Sequence, residues 1–116
     1  MIDVTRQVAQ AVNESGVQNG ICTVFVPHTT AAVTINENAD ADVTRDILDK
    51  LDRTFPRKDG YRHYEGNSAS HIKASLFGFS ETILVESGSL VLGTWQGIYF
   101  CEFDGPRTRN FIVDIK

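Results

Sequence analysis

The sequence has few residues that could cross-link the chain and no long hydrophobic run. Its only cysteines, Cys22 and Cys101, fit neither a CxxC motif nor the spacing of a zinc finger. Both lie in apolar runs, so we expect buried free thiols and a reducing, cytoplasmic location. No run approaches the roughly eighteen apolar residues of a transmembrane helix, and the polar N-terminus does not have the pattern of a signal peptide.

The sequence also lacks an excess of positive charge. Lys and Arg total 11 against 15 Asp and Glu, which gives a net charge of −4, and the basic residues are scattered. Nucleic-acid and anionic membrane surfaces select clustered positive charge, so we expect neither as a partner. A hydrophobic content of 41% in 116 residues is typical of one globular domain.

Three helices are predicted from apolar residues at helical spacing and from the residues at their ends. The first covers residues 3–15 and is followed by a glycine. The second begins at Asp40 or Asp42, and the third begins near Ser68 and ends before Gly78. The second helix has an apolar stripe that we expect to be buried, formed by Val43, Ile47, Leu48 and Leu51.

Six runs have the composition of β-strands. They cover residues 20–26, 31–35, 81–85, 90–93, 95–103 and 108–115. The first run is rich in β-branched residues and has apolar residues on both faces, so we expect a central strand that is buried on both faces. Short turns join the last four runs and favour antiparallel pairing. Together with the helices, they predict a single α+β domain whose sheet is mainly antiparallel.

Three histidines are the candidate metal ligands. His63 and His71 flank a Gly-Asn turn that could bring both rings to one pocket, and His28 follows a predicted strand and a proline. Three imidazoles with one open position are typical of catalytic zinc, although the spacing is not that of an HExxH motif. Independently placed histidines remain the alternative. Glu65 could act with His71 as a general base or fix a ring tautomer, or it could be a solvated loop carboxylate.

Anion-binding groups surround the same stretch. Asn67 and Ser68 precede the third helix, whose free N–H groups favour phosphate or carboxylate, and Lys73 lies about one turn further on. Arg107 could bind such a group with two hydrogen bonds, or it could pair with Asp104 and hold the hairpin.

Three long blocks of the sequence resemble the YjbQ family, also called the UPF0047 family. They are PHTTAAVTINENAD (27–40), HYEGNSASHIKASLFG (63–78) and LGTWQGIYFCEFDGPR (92–107), and the similarity covers almost the whole chain. The residues that match polar positions of these blocks are His28, Glu37, Asn38, His63, Glu65, His71, Trp95, Gln96 and Arg107.

The resemblance implies a small α+β protein that assembles as a homotrimer and is associated with a weak thiamine-phosphate synthase activity. That transferase reaction joins a pyrimidine diphosphate to a thiazole phosphate. The implied substrate-binding residues are Asn38, Asn67, Ser68, Lys73, Trp95, Gln96 and Arg107, and a divalent metal, zinc or magnesium, would be held by His28, His63 and His71. Family members usually have a further strand ahead of Ile2, so we expect residues 1–116 to form one YjbQ-like domain without it.

Two other classes of function stay open. One is a trimeric metal- or ligand-binding protein without turnover. The other is a structural oligomer whose polar blocks serve as turns and interfaces, which predicts that the three histidine rings lie far apart.

Overall fold

The computed structural model describes residues 1–116 and contains two antiparallel sheets and three helices. In chain order the elements are β1 Ile2–Asp3, α1 Thr5–Ser15, β2 Gly20–Phe25, β3 Ala31–Glu37, α2 Ala41–Thr54, α3 Ser68–Phe77, β4 Ser80–Glu86, β5 Ser89–Leu90, β6 Gln96–Glu102 and β7 Ile112–Ile115. Sheet A has the strand order β1-β6-β3, and sheet B has the order β5-β4-β2-β7. The predicted α+β class with three helices and antiparallel pairing is therefore confirmed. None of the three helices combines the length and the apolar character that spanning a membrane requires.

The main core lies between the two sheets and is closed by α1. Val8 and Val12 of α1 are fully buried there with Val24 of β2 and Ile98 of β6. A smaller cluster of Ala32, Ala74, Tyr99 and Cys101 packs α3 against sheet A. Both cysteines are buried and free as predicted, and burial raises the pKa of the Cys101 thiol to about 12.

Strand β2 is central in sheet B, but the prediction that it is buried on both faces is wrong. Cys22 and Val24 face the core, whereas Ile21 and Phe25 are 46% and 43% exposed on the other face. Leu84 and Ile112 pair with Ile21 and Phe25 across the neighbouring strands and are also exposed. No helix covers this outer face, so its apolar side chains have no partner within the chain.

Helix α2 has its predicted start but not its predicted packing. Asp40 caps it by accepting a hydrogen bond from the backbone N–H of Asp42. The predicted stripe is only half-buried, because no residue of α2 is buried and none belongs to either core cluster. An apolar stripe is buried only where another layer lies against it, and α2 protrudes from the two sheets.

Other element ends differ locally from the prediction. The first helix begins at Thr5, because Ile2–Asp3 pairs with β6 as a strand. The runs at 90–93 and 108–115 shorten to Ser89–Leu90 and Ile112–Ile115. Ser87 and Gly88, at φ 50° and 77°, form the tight turn between β4 and β5.

Candidate functional site

A polar cleft lies where β3 begins and β6 ends, at the position where Ala31 pairs with Glu102. Its volume is about 360 Å³. The lining contains no hydrophobic residue and consists of Thr29, Thr30, His63, Glu65, Asn67, His71, Asp104, Arg107 and Arg109. Five of the predicted site residues therefore meet in one place, although they come from separate parts of the chain.

His63 and His71 form the cleft's proton-transfer group. Their rings lie edge to face with centroids 5.6 Å apart, and His63 Nε2 lies 3.9 Å from Glu65 Oε2. Imidazole nitrogens and carboxylate oxygens can each take up or give up a proton, so this group can act as a general acid or base. The Gly-Asn turn between the histidines has the predicted effect, since Gly66 adopts φ 76° and reverses the chain.

The start of α3 forms a second side of the cleft. The N-cap is Asn67 rather than Ser68, and its side chain does not cap the helix. The backbone N–H groups of Ser68 and Ala69 have no hydrogen-bond partner within the chain. The side-chain Oδ1 of Asn67 is also buried without a partner. Unpaired N–H groups at a helix start are suited to an anion.

Asp104 connects α3 to the arginines. Its Oδ2 accepts hydrogen bonds from Asn67 Nδ2 at 2.9 Å and from Arg107 Nη2 at 3.0 Å, and Arg57 Nη1 lies 3.6 Å from Oδ1. The Asn67 hydrogen bond, with the charges of Arg107, Arg57 and Arg109, lowers the pKa of Asp104. Arg107 therefore pairs with Asp104, as one sequence interpretation proposed, and also lines the cleft.

Arg109 is held by a nearly buried ion pair. Its Nε donates to Glu102 Oε1 at 2.6 Å and its Nη2 donates to Glu102 Oε2 at 3.1 Å. Nη2 also donates to Thr30 Oγ1 at 2.6 Å. The hydrogen bond from Arg109 lowers the pKa of Glu102, and the same bond raises the pKa of Arg109. Both groups are therefore charged at neutral pH.

His28 lies in a neighbouring cavity rather than in the cleft. Its Nε2 lies 3.1 Å from both the backbone N and the backbone O of Asn110. No group of three or more His, Cys, Asp or Glu side chains in the structure is placed to hold a metal ion. The predicted three-histidine set is thus not assembled within one chain, and the residues present do not fit such a centre. The divalent metal stays a prediction.

Four further predicted residues lie away from the cleft, and a fifth, Ser68, lies next to it. Lys73 Nζ contacts Asp52 Oδ1 at 2.6 Å and ties α3 to α2. The other three, Asn38, Trp95 and Gln96, lie at the opposite end of the β3–β6 pair. Six residues of strand separate the two ends, which is about 20 Å at 3.3 Å per residue. Ser68 lines a shallow cavity next to the cleft that shares His63 and His71 with it.

Arg109, Glu102 and Thr30 were not predicted as site residues. Arg107 and Arg109 are two positions apart, and Glu102 and Asp104 have the same separation. This spacing places two acidic residues before the Gly105-Pro106 turn and two arginines after it, which is a signal for ion pairs across the turn. It could have indicated the second arginine, but not the cleft to which it belongs.

Comparison with known proteins assigns the family. The family model described as UPF0047 protein YjbQ-like matches residues 1–116. The chain is 54% identical to UPF0047 protein YugU of Bacillus subtilis over 114 residues, which are 97% of this chain and 86% of that protein. It is 51% identical to a UPF0047 protein of Methanocaldococcus jannaschii over 115 residues, 99% of this chain and 83% of that protein.

Solved structures support the same family assignment. A YjbQ/UPF0047 protein of Clostridium acetobutylicum superimposes with a TM-score of 0.98 at 63% identity, covering 99% of this chain and 89% of that one. A protein of Sulfolobus solfataricus described as of unknown function gives a TM-score of 0.94 at 39% identity, covering 98% of this chain and 84% of that one. The chain therefore belongs to the UPF0047 family of YjbQ-like proteins.

Proposed function

We propose that this protein is a cytosolic enzyme that acts on a small phosphorylated metabolite in the polar cleft. The observation that carries the proposal is the lining, which places two histidines and a glutamate beside two arginines with no hydrophobic residue among them. Proton-transfer groups next to hydrogen-bond donors are what the departure of a phosphate or pyrophosphate leaving group requires. The reaction we propose is that implied by the sequence resemblance, the joining of a pyrimidine diphosphate to a thiazole phosphate.

In this reaction the protein's first task is to hold phosphate oxygens. The free N–H groups of Ser68 and Ala69, which follow the cleft residue Asn67, donate to one phosphate together with Arg107. Asp104 already accepts from Arg107 Nε and Nη2 through its carbonyl and carboxylate oxygens, which fixes the guanidinium in place. A held guanidinium loses less entropy on binding, so it favours a bound oxyanion.

The second task is to stabilise the leaving group. The thiazole nitrogen's lone pair forms a bond to the pyrimidine's reacting carbon, the carbon–oxygen bond breaks, and its electron pair moves to the departing pyrophosphate. His71 acts as the general acid that donates a proton to that oxygen, and His63, with Glu65 at 3.9 Å from its Nε2, lies beside it. The arginines offset the charge that develops on pyrophosphate.

Product formation from the two thiamine precursors tests this proposal. We expect His71→Ala to reduce turnover about 10²-fold or more, because it removes the proton donor. His28→Ala is the matched control, since His28 lies in the neighbouring cavity, and it should retain turnover. No product from the unaltered protein would contradict the reaction and favour a binding protein without turnover. Equal activity in both variants would contradict the role of His71.

The proposal includes assembly as a homotrimer, as the resemblance implies. Two uncovered apolar surfaces support self-association. One is the outer face of sheet B, where four side chains are each more than 40% exposed: Ile21, Phe25, Leu84 and Ile112. The other is the half-buried stripe of α2. Apolar surfaces of this kind are usually covered by another copy of the chain or by a partner.

Light scattering after size-exclusion chromatography measures the assembly. We expect a mass three times that of the 12.9 kDa chain, and we expect Leu84→Glu to yield monomers by placing a charge on the face of sheet B. Leu76→Glu is the matched control on α3, where the leucine is also exposed. A Leu84→Glu protein that keeps the mass of the unaltered assembly would show that this face is not the interface.

A further inference from the structure

Arg109 lines the cleft with part of its guanidinium free. Glu102 accepts hydrogen bonds from Nε and Nη2, and the arginine and glutamate side chains are only 12% and 17% exposed. Nη1 has no hydrogen-bond partner in the chain. A nearly buried ion pair contributes little net stability, because the loss of hydration offsets the attraction. What the Glu102 ion pair does here is hold the Arg109 guanidinium in one orientation.

The contact between Arg109 and Thr30 leaves the Thr30 hydroxyl free to donate a hydrogen bond. Arg109 Nη2 donates to Thr30 Oγ1 at 2.6 Å, and arginine cannot accept a hydrogen bond. The hydroxyl hydrogen must therefore point elsewhere, and no acceptor within the chain receives it. Thr30 is 5% exposed and lines the cleft, so an acceptor for this hydrogen has to come from a bound molecule or from water.

Arg107 repeats this arrangement next to Arg109. Asp104 accepts from its Nε and Nη2, which leaves its Nη1 without a partner in the chain. The two arginines line the same cleft, and each is oriented by a carboxylate. Both arginines are close enough to Asp104 to stabilise its charge. The cleft therefore offers two adjacent sets of free donors rather than one.

We propose that Arg109 and Thr30 form a second oxyanion subsite beside that of Arg107 and the α3 start, and that together the two subsites bind a diphosphate group. This inference rests on the proposed function and deepens it by assigning two residues to diphosphate recognition. Arg109 Nη1 and the Thr30 hydroxyl donate to oxygens of one phosphoryl group. Arg107 and the N–H groups of Ser68 and Ala69 donate to oxygens of the other.

Calorimetric titration with inorganic pyrophosphate and with inorganic phosphate tests the subsite without any turnover. We expect pyrophosphate to bind the unaltered protein about tenfold more tightly than phosphate, because it can engage both sets of donors. Thr30→Val removes the hydroxyl and should reduce this preference about tenfold, whereas Thr30→Ser keeps the hydroxyl and should preserve it. The ratio of the two affinities does not depend on the folded fraction of a variant.

Arg109→Lys provides an independent test, because it keeps the charge and loses the planar fork. We expect it to lower pyrophosphate affinity at least fivefold, with Arg45→Lys, on an exposed arginine of α2, as the matched control without effect. Unchanged affinity in both Thr30→Val and Arg109→Lys would overturn the subsite. Undetectable pyrophosphate binding by the unaltered protein at millimolar concentration would also overturn it.

Failure of the proposed reaction and failure of the diphosphate subsite would give different results. A protein that forms no thiamine product but binds pyrophosphate in a manner dependent on Thr30 and Arg109 keeps the diphosphate subsite and loses only the reaction. Product formation that is indifferent to both residues, with pyrophosphate affinity unchanged, keeps the reaction and removes the subsite.

Discussion

Asn67 Nδ2 donates a hydrogen bond of 2.9 Å to Asp104 Oδ2 and so joins the start of α3 to the segment that follows β6. Asn67 is 6% exposed and Asp104 is 9% exposed. Because Asp104 also accepts from Arg107, one carboxylate sets the relative positions of the helix start and the arginine. The geometry of the cleft therefore depends on this pair.

Replacing the carboxylate should destabilise the protein. In Asp104→Asn an NH2 group replaces one carboxylate oxygen and faces hydrogen-bond donors, either Asn67 and Arg107 or Arg57, and Arg107 loses a charged acceptor. We expect a loss of about 1–3 kcal/mol in the free energy of unfolding, measured by urea denaturation. Asp49→Asn, on the exposed side of α2, is the matched control and should change stability by less than about 0.5 kcal/mol. Equal effects of the two substitutions would contradict the structural role of Asp104.

Acid should destabilise the protein through the same carboxylates. Hydrogen bonds from Asn67 to Asp104 and from Arg109 to Glu102 lower the pKa of each carboxyl below its ordinary value of 3.8 or 4.5. The folded chain then binds fewer protons than the unfolded chain, so this stabilisation is present above those values and is lost as the pH falls through the lowered pKa.

The unfolding temperature between pH 6 and pH 3 measures this dependence. We expect Glu102→Gln to make the acid decline shallower than in the unaltered protein, because one of the responsible carboxyls is gone. A decline of unchanged steepness would show that other groups control the acid response.

Lys73 should not affect ligand binding, since its ammonium contacts Asp52 and not the cleft. We expect Lys73→Met to leave pyrophosphate affinity within twofold of that of the unaltered protein and to speed hydrogen exchange of α2, whose tie to α3 it removes. Lys50→Met, on the exposed surface of α2, is the control and should change neither quantity. A large loss of affinity in Lys73→Met would restore the sequence prediction that Lys73 binds substrate.

Any divalent cation bound in the cleft should depend on His63 and His71, whose rings lie close together, and not on His28. Elemental analysis after dialysis against zinc measures this dependence. We expect His63→Ala and His71→Ala to lower the zinc content and His28→Ala to leave it unchanged. A loss of zinc in the His28 variant would place that histidine at a shared site, contributed by another copy of the chain.

Much of the fold follows from local signals. The helix ends at Asp40 and Gly78 and the turn at Ser87-Gly88 are signalled by their own residues, and the prediction located all three. The burial of β2 and of the α2 stripe was predicted wrongly for one reason. An apolar residue is buried only if another layer lies against it, and the pattern of a single segment does not say whether such a layer exists.

The sequence by itself determined the family, the three helices, six of the seven strands, and the polar residues His63, Glu65, Asn67, His71 and Arg107. Only the tertiary structure decided which of them share a cleft. The Asn67–Asp104 hydrogen bond links positions 37 residues apart, and the Arg109–Thr30 bond links positions 79 apart. Contacts over such separations arise from the packing of α3 and sheet A, which no local spacing encodes. The same packing left His28 outside the cleft and placed Arg109 within it.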